Sequence, residues 1–233
     1  AWLDEMRLIK DTHEQDTMRR AARISAAAHV RAMQCSAQRL REGQPTHEYH
    51  LEAELLHEFR HHGAQFPAYT SIVAAGANAC VLHYRADTAP VRNGELVLID
   101  AGCELDGYAS DITRTFPANG RFTAPQRAMY DVVLAAQHAA AAATRPGARF
   151  NDPHDAAVSV LSQGLLDLGL LTHDQHGSLE DIIEKRAYFR FYMHRTSHWL
   201  GMDVHDCGSY VEPGEPITEP ARPDPISGAM VQP

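Results

Sequence analysis

Residues 96–114 read LVLIDAGCELDGYASDITR, with two β-like runs on either side of the pair Asp106-Gly107. An Asp-Gly pair between alternating apolar runs is a common sequence for the tight turn of a β-hairpin. If the turn is centred between Leu105 and Asp106, Asp100 lies directly opposite Asp111. The stretch therefore predicts an antiparallel hairpin with two acidic side chains on one face.

The two facing acids predict a bound cation. Directly opposed residues on one face of a sheet have Cβ atoms about 4.5–5.5 Å apart, and two like charges at that distance destabilise the sheet. A shared proton or a cation would offset the repulsion, and a cation is favoured where histidines complete its coordination. A turn shifted by one residue would instead point one aspartate to solvent. Glu104 and Asp106 lie at the turn, where exposed carboxylates are ordinary.

Helices are predicted on both sides of the hairpin. A capping box of Thr12 with Gln15 begins one helix, a second begins at Thr46, and Thr123 with Gln126 begins a third, which a fourth follows. Strands are predicted at residues 71–75, 80–84, 95–100 and 108–116, and strand-like segments return between residues 187 and 206. The order helix, helix, strands occurs twice, which predicts an internally duplicated α+β unit with helices covering one antiparallel sheet.

The composition narrows the classes of partner. The formal net charge of −9, with 21 Lys and Arg against 30 Asp and Glu, gives no positive field for nucleic acid or anionic lipid. No apolar run of membrane-spanning length and no secretory leader is predicted. The four cysteines are scattered without a Cys-x-x-Cys pair, which favours reduced thiols and a cytoplasmic location.

A second group of chemically active side chains lies in residues 191–206. His194, His198 and His205 fall within twelve residues among apolar and aromatic neighbours. Each alone is more often a structural histidine than a ligand, but their clustering and the distant acids favour a metal site. Mixed oxygen and imidazole ligands indicate manganese, cobalt, iron or zinc. Two aspartates and one histidine are too few for two ions, so further carboxylates are required.

These motifs resemble those of the pita-bread metallopeptidases, and most closely the Xaa-Pro aminopeptidases (aminopeptidase P) and their relatives the prolidases. The matching stretches are Leu82-His83-Tyr84, LVLIDAG with Asp100, GYASDITRTFP with Asp111, and SHWLGMDVHD with His198 and His205. The resemblance runs from about residue 7 to residue 210. It implies the α+β pita-bread fold, with duplicated helix-helix-strand halves around a curved antiparallel sheet.

The resemblance also implies the chemistry. Asp100, Asp111 and His198 would be ligands of two divalent ions, manganese before cobalt, zinc or iron, with Asp111 bridging them. His194 and His205 would contact substrate or the developing tetrahedral intermediate, and His83 would flank the bound peptide. A metal-activated hydroxide would attack the scissile carbonyl of a peptide with proline at its second position. Donation from His205 would stabilise the oxyanion.

The resemblance predicts that residues 1–233 form one catalytic domain that lacks the family's N-terminal domain and its last C-terminal strands. Two further ligand glutamates are expected beyond Pro233. Glu212, in Val211-Glu212-Pro213-Gly214, imitates the first of them but is too close to His205, so we expect it not to bind metal. The 233-residue chain is therefore expected to bind metal weakly and to have little activity. The full-length protein is expected to be a homo-oligomer.

Three other functions stay open at the level of sequence. A prolidase would cleave only dipeptides that end in proline, and the Pro-rich segment after His205 is also found in some prolidases. A non-catalytic peptide-binding domain or a metal-free creatinase-type hydrolase would share the fold. Both usually lose the metal ligands, so the presence of Asp100, Asp111 and His198 argues against them.

Overall fold

The computed structural model describes residues 2–210 together with the backbone of residues 222–223 and 230–231. The helices of the described chain are α1 (Trp2–Leu8), α2 (Thr12–Arg41), α3 (Glu48–His61), α4 (Ala124–Ala143), α5 (Asp152–Asp167), α6 (His173–His176) and α7 (Leu179–Glu184). The strands are β1 (Phe66–Pro67), β2 (Ile72–Ala75), β3 (Leu96–Ala101), β4 (Cys103–Leu105), β5 (Tyr108–Ala109), β6 (Ile112–Pro117), β7 (Arg222–Pro223) and β8 (Met230–Val231). Two short 3-10 helices span Gly76–Cys80 and Ala187–Arg190.

The helices begin and end at local signals in the sequence. The predicted capping box of α4 is present, since Thr123 accepts from the backbone of Gln126 and is capped by it in return. At α2 the predicted box was wrong by one residue, because Asp11 is the N-cap and pairs with Glu14. The positive end of the helix dipole also favours an acidic side chain at this position.

The hairpin of the central sheet has a different register from the predicted one. Strand β3 pairs with β2 on one side and with β6 on the other, all antiparallel, while β4 pairs with β1 and β5. Asp100 lies opposite Thr113 rather than Asp111. The two turn residues are Asp106 and Gly107, with φ of 51° and 83°, as a type I′ turn requires. The shift amounts to two residues in the pairing, so both acids keep the predicted face.

The main core lies between the first pair of helices and the sheet. One face of α2 buries small residues, among them Ala21, Ala28 and Ala32, which allows the helix backbone to approach the strands closely. From the sheet, Val97, Ile99 and Ala101 point into this core, so the alternate residues of β3 face the opposite side. In the second half, α4 packs on α5 and α5 on α7. No helix of the described residues is long and apolar enough to cross a bilayer.

Two of the predicted strands were wrong. The segment 80–84 follows a 3-10 turn as irregular backbone, with the apolar side chains of Val81 and Leu82 about half exposed. In the segment 187–206, a 3-10 helix and turns replace strands. Most of its backbone bonds are local, such as Asp206 N to Trp199 O, and the bond from Ala109 N to Gly201 O joins it to the hairpin. Runs of apolar residues resemble strands in sequence but need a paired neighbour, and neither segment has one among the described residues.

Candidate metal centre

Asp100 reaches the open face of the sheet because β3 alternates strictly. Its neighbours Ile99 and Ala101 are fully buried in the core, whereas the side chain of Asp100 emerges on the other face. Burial raises the pKa of Asp100 and the nearby charge of Asp111 adds to the rise, while hydrogen bonds from Tyr69 and Thr113 only partly oppose it. The structure therefore holds Asp100 where its ionised form needs a cationic partner.

Asp111 is positioned by a close backbone crossing next to it. A Cβ atom added to Gly102 would lie 1.6 Å from the carbonyl oxygen of Ser110, so only glycine fits there. Under the crossing, the Ser25 and Ser110 hydroxyls are 2.8 Å apart, and the amide of Cys103 donates to both, at 2.9 and 3.0 Å. All three residues are fully or almost fully buried. This network fixes the backbone that carries Asp111.

Tyr69 connects the two acids. Its hydroxyl lies 2.5 Å from Oδ1 of Asp100 and 2.8 Å from Oδ1 of Asp111. Burial and the two neighbouring acids raise the pKa of Tyr69, so it stays protonated. A hydroxyl has one proton, so it can donate to only one of the two carboxylates at a time. The other acid must be protonated or must face a cation.

His198 presents a free lone pair to the same cluster. Its Nδ1 lies 2.8 Å from the carbonyl oxygen of Trp199, to which it can only donate. In the neutral ring, Nε2 is then an acceptor, yet it lies 3.0 Å from Oδ2 of Asp111, which is also an acceptor. A proton or a metal ion between these atoms resolves the conflict. A backbone carbonyl that fixes the other ring nitrogen is the usual arrangement of a metal-binding histidine.

His205 adds a second imidazole beside the first. Its ring stacks on that of His198 with centroids 4.1 Å apart and an interplanar angle of 22°. Unlike His198, which is half-buried, His205 is exposed. It is therefore available to a molecule that approaches the cluster from solvent.

The segment that carries both imidazoles is fastened to the start of the chain. The buried carboxylate of Asp206 accepts from Lys10 at 2.8 Å and from Arg7 at 2.5 Å. A Cβ atom on Gly201 would lie 2.1 Å from Oδ2 of Asp206, so the turn closes tightly over this ion pair. The amide of Ala109 also donates to the carbonyl of Gly201 at 2.8 Å, which ties the segment to the hairpin.

The remaining predicted residues lie outside this cluster. His83 is exposed on the irregular segment after β2, with a left-handed backbone at φ 52°. His194 is exposed, and its Nδ1 contacts the carbonyl of Arg195 at 3.2 Å. Glu212 lies outside the described residues. The structure thus brings together Asp100, Asp111, His198 and His205 of the predicted set.

The donor chemistry at Asp100, Asp111 and His198 fits a divalent ion, since two carboxylates and one imidazole suit manganese, zinc, cobalt or iron. Another group of possible ligands is Asp203, Asp206 and Cys207, whose ligand atoms all lie within 4.8 Å of one another. Arg7 and Lys10 already neutralise its two acids, so that group is better explained as an ion-pair network.

Sequence reasoning missed Tyr69 and the two basic side chains, Arg7 and Lys10, that bind Asp206. Tyr69 lies just before β2 in the stretch FPAYTSIV, two residues after a proline, and shows no periodic signal. Its role depends on the register of three strands. Lys10 and Asp206 are far apart in sequence, and charged residues near a helix start are ordinary.

The chain is similar to known metallopeptidases over nearly its whole length. The model of metallopeptidase family M24 matches residues 16–230. An Xaa-Pro aminopeptidase of Haemophilus influenzae is 48% identical over 218 residues, which are 93% of this chain and 48% of that protein. One from Escherichia coli is 46% identical over 216 residues, 93% of this chain and 47% of the relative. The chain thus spans about half the length of the curated relatives it matches.

Solved structures give the same result. The aminopeptidase PepP of Pseudomonas aeruginosa superposes with a TM-score of 0.86 at 53% identity, over 94% of this chain and 48% of that one. Zinc-substituted aminopeptidase P of Escherichia coli, solved in complex with product, gives 0.83 at 44% identity over the same shares of the two chains.

Proposed function

The chain belongs to metallopeptidase family M24, and from this premise we propose that the protein containing it removes the N-terminal residue of peptides whose second residue is proline. The observation that carries the proposal is the convergence of Asp100, Asp111 and His198. Their acceptor atoms face one another with too few hydrogen-bond donors between them, and a metal ion would remove that conflict. Residues 1–233 would form part or all of its catalytic domain.

Asp100, Asp111 and His198 would hold two divalent ions together with further carboxylates, manganese being the first candidate before cobalt, zinc or iron. Bound ions would supply Lewis acidity toward the scissile carbonyl and activate a water nucleophile. The residues of the chain supply the orientation of these ligands. The carbonyl of Trp199 holds the His198 ring in the ligating tautomer, and the serines below Gly102 fix the position of Asp111.

The exposed imidazoles would act on the substrate. His205 is stacked on His198 and open to solvent, so it can donate to the oxygen on which negative charge develops. His83 and His194 lie outside the cluster on exposed segments and would contact the peptide from the edge of the site. Tyr69 would orient one of the two acids by donating a hydrogen bond to it.

The assignment of the ligands is tested by neutral replacements in the intact protein. In Asp100→Asn, Asp111→Asn and His198→Ala, kcat should fall by about a hundredfold or more, because even residues that only orient metal ligands contribute about 10- to 100-fold. Asp106→Asn is the matched control, since it removes an exposed acid of the same hairpin. Calorimetric titration with manganese should show weaker binding in the first three variants alone. Wild-type metal affinity in all three would refute the site.

Substrate length separates this proposal from the prolidase alternative. An Xaa-Pro-Xaa tripeptide, an Xaa-Pro dipeptide and a tripeptide without proline should be compared in the presence of manganese. We expect the first to be cleaved fastest. A strong preference for the dipeptide would replace the proposal with a prolidase, and the absence of cleavage of all three would reject both.

A cytoplasmic location and a homo-oligomeric state belong to the same proposal. The four cysteines are free thiols, which agrees with a reducing compartment. Light scattering on the intact protein measures the oligomeric state, and a monomer at micromolar concentration would reject that part.

A further inference from the structure

A single buried carboxylate, that of Glu48, holds both ends of the segment that carries His83. The segment of residues 76–88, called here the His83 loop, leaves β2 after Ala75 and returns to α3 at Ala89. The amide of Ala75 donates to Oε1 of Glu48 at 2.8 Å, and the amide of Ala89 donates to Oε2 at 2.9 Å. Ends that meet in this way define a compact Ω-loop.

The interior of the His83 loop is fastened to the same group. Asn78 donates to Oε1 of Glu48 and the hydroxyl of Tyr84 donates to Oε2, each at 3.0 Å, and Asn78 also contacts the Tyr84 oxygen at 3.0 Å. Glu48 is fully buried, and it is the first residue of α3, where the helix dipole favours a negative charge. Four donors therefore converge on the two oxygens of one buried side chain.

His83 has a backbone conformation that needs such support. Both His83 and Asp87 have left-handed backbones, at φ 52° and 49°, a conformation that is uncommon for non-glycine residues and costs free energy. The Tyr84 anchor follows His83 directly. Strand β2 runs from Ile72, which is opposite Asp100, to Ala75, so its last residue lies about 10 Å along the strand from the position that faces the acid.

We propose that Glu48 is a positioning residue, which presents His83 to the peptide at the candidate metal centre by holding the loop through Tyr84. The inference rests on the proposed function. Glu48 itself lies in the core and touches no substrate. Its effect on catalysis would pass entirely through the conformation of the His83 loop.

Hydrogen exchange tests the anchoring without any activity measurement. In Glu48→Gln, one carboxylate oxygen becomes an amide that faces donors and cannot accept from them. The amides of Ala75 and Ala89 should then exchange at least about tenfold faster. Glu52→Gln is the matched control, one turn further along α3, where the carboxylate accepts none of these donors. Tyr84→Phe, which removes a single hydroxyl, should loosen the loop interior if Glu48→Gln fails to fold.

A double-mutant cycle tests the link to catalysis in the intact, metal-loaded protein. Glu48→Gln or Tyr84→Phe should lower kcat/KM on an Xaa-Pro peptide by about tenfold or more, because small misplacements of a substrate contact have large effects. In a His83→Ala background the same changes should have less than about a twofold effect, since coupled residues are not additive. Equal losses in both backgrounds would show a general structural effect and overturn the inference.

The outcomes separate this inference from the proposed function. A parent protein without peptidase activity would reject the proposed function, and with it the catalytic part of the inference. Unchanged amide exchange in both Glu48→Gln and Tyr84→Phe would reject the anchoring alone, whatever the activity of the parent.

Discussion

Replacement of Gly102 by alanine should damage both the fold and the candidate metal centre. The new Cβ would lie 1.6 Å from the carbonyl oxygen of Ser110, and the backbones must separate by about 1.4 Å to reach 3.0 Å, the shortest contact that real Cβ atoms show. The obstacle is backbone rather than a flexible side chain. Relief therefore requires the strands to move apart.

The magnitude follows from the hydrogen bonds at the crossing. Ala68 N donates to Gly102 O at 2.9 Å, Ser110 N to Cys103 O at 3.0 Å, and Cys103 N to Ser25 Oγ at 2.9 Å. Each such bond contributes about 0.5–1.5 kcal/mol, so the loss of three costs about 1.5–4.5 kcal/mol. A free energy of unfolding of about 5–15 kcal/mol is usual for a domain, so the variant keeps a fold that can be measured.

Urea unfolding followed by circular dichroism measures this change, with Gly107→Ala as the comparison. Gly107 has φ 83° and no atom within 4 Å of an added Cβ, so its replacement adds only backbone strain, about 1–2 kcal/mol. Manganese titration should show weaker binding in Gly102→Ala and unchanged binding in Gly107→Ala. If Gly102→Ala loses no more stability than Gly107→Ala and binds metal normally, the crossing does not position Asp111.

Three further changes test other contacts. Tyr69→Phe should destabilise the metal-free protein by about 1 kcal/mol, and the loss should shrink when manganese is added; equal losses in urea with and without metal would contradict the shared-proton account. Burial raises the pKa of Asp206, but the hydrogen bond and charge of Lys10, the backbone of Cys207 and the charge of Arg7 together outweigh burial and lower the pKa below its usual value. The ion pair therefore stabilises the fold at pH values above the unfolded-state pKa, and its contribution is lost as the pH falls through the folded-state pKa. In Asp206→Asn, the free energy of unfolding should therefore fall less steeply as the pH is lowered. A pH dependence equal to that of the wild type would count against the ion pair. Ser36→Ala leaves the buried carbonyl of Ala118 without its donor at 2.7 Å and should cost about 1–2 kcal/mol by thermal unfolding; a cost near zero would mean that water replaces the hydroxyl.

The sequence predicted the α+β pita-bread fold, and the solved structures of aminopeptidase P confirm it. Local signals predicted the four long helices α2 to α5, because caps and apolar periodicity act within a few residues, whereas the short helices α1, α6 and α7 were not predicted. The face of Asp100 was also predictable, since a pairing shift of two residues preserves side-chain direction. The exact pairing was not, because the choice between two adjacent turn centres depends on the positive φ of both Asp106 and Gly107.

The candidate site was predictable only where a motif carried it. Asp100, Asp111, His198 and His205 lie together as the hairpin and histidine patterns indicated. Tyr69 escaped notice because its contact spans two strands that sequence spacing does not relate. The false strand at 80–84 shows the reverse case, in which residues with strand propensity are held by the buried side chain of Glu48 instead of by a neighbouring strand.

The attachment of Lys10 and Arg7 to Asp206 has a practical consequence for anyone who wishes to excise a minimal domain. Cutting the gene just before α2 would look harmless, since α1 buries no residue of its own. Such a cut would remove Arg7 and Lys10, the two basic partners of the Asp206 carboxylate, whose side chain is only 1% exposed and which directly follows His205. The loss of stability would arise around Asp206, nearly two hundred residues after the site of the cut.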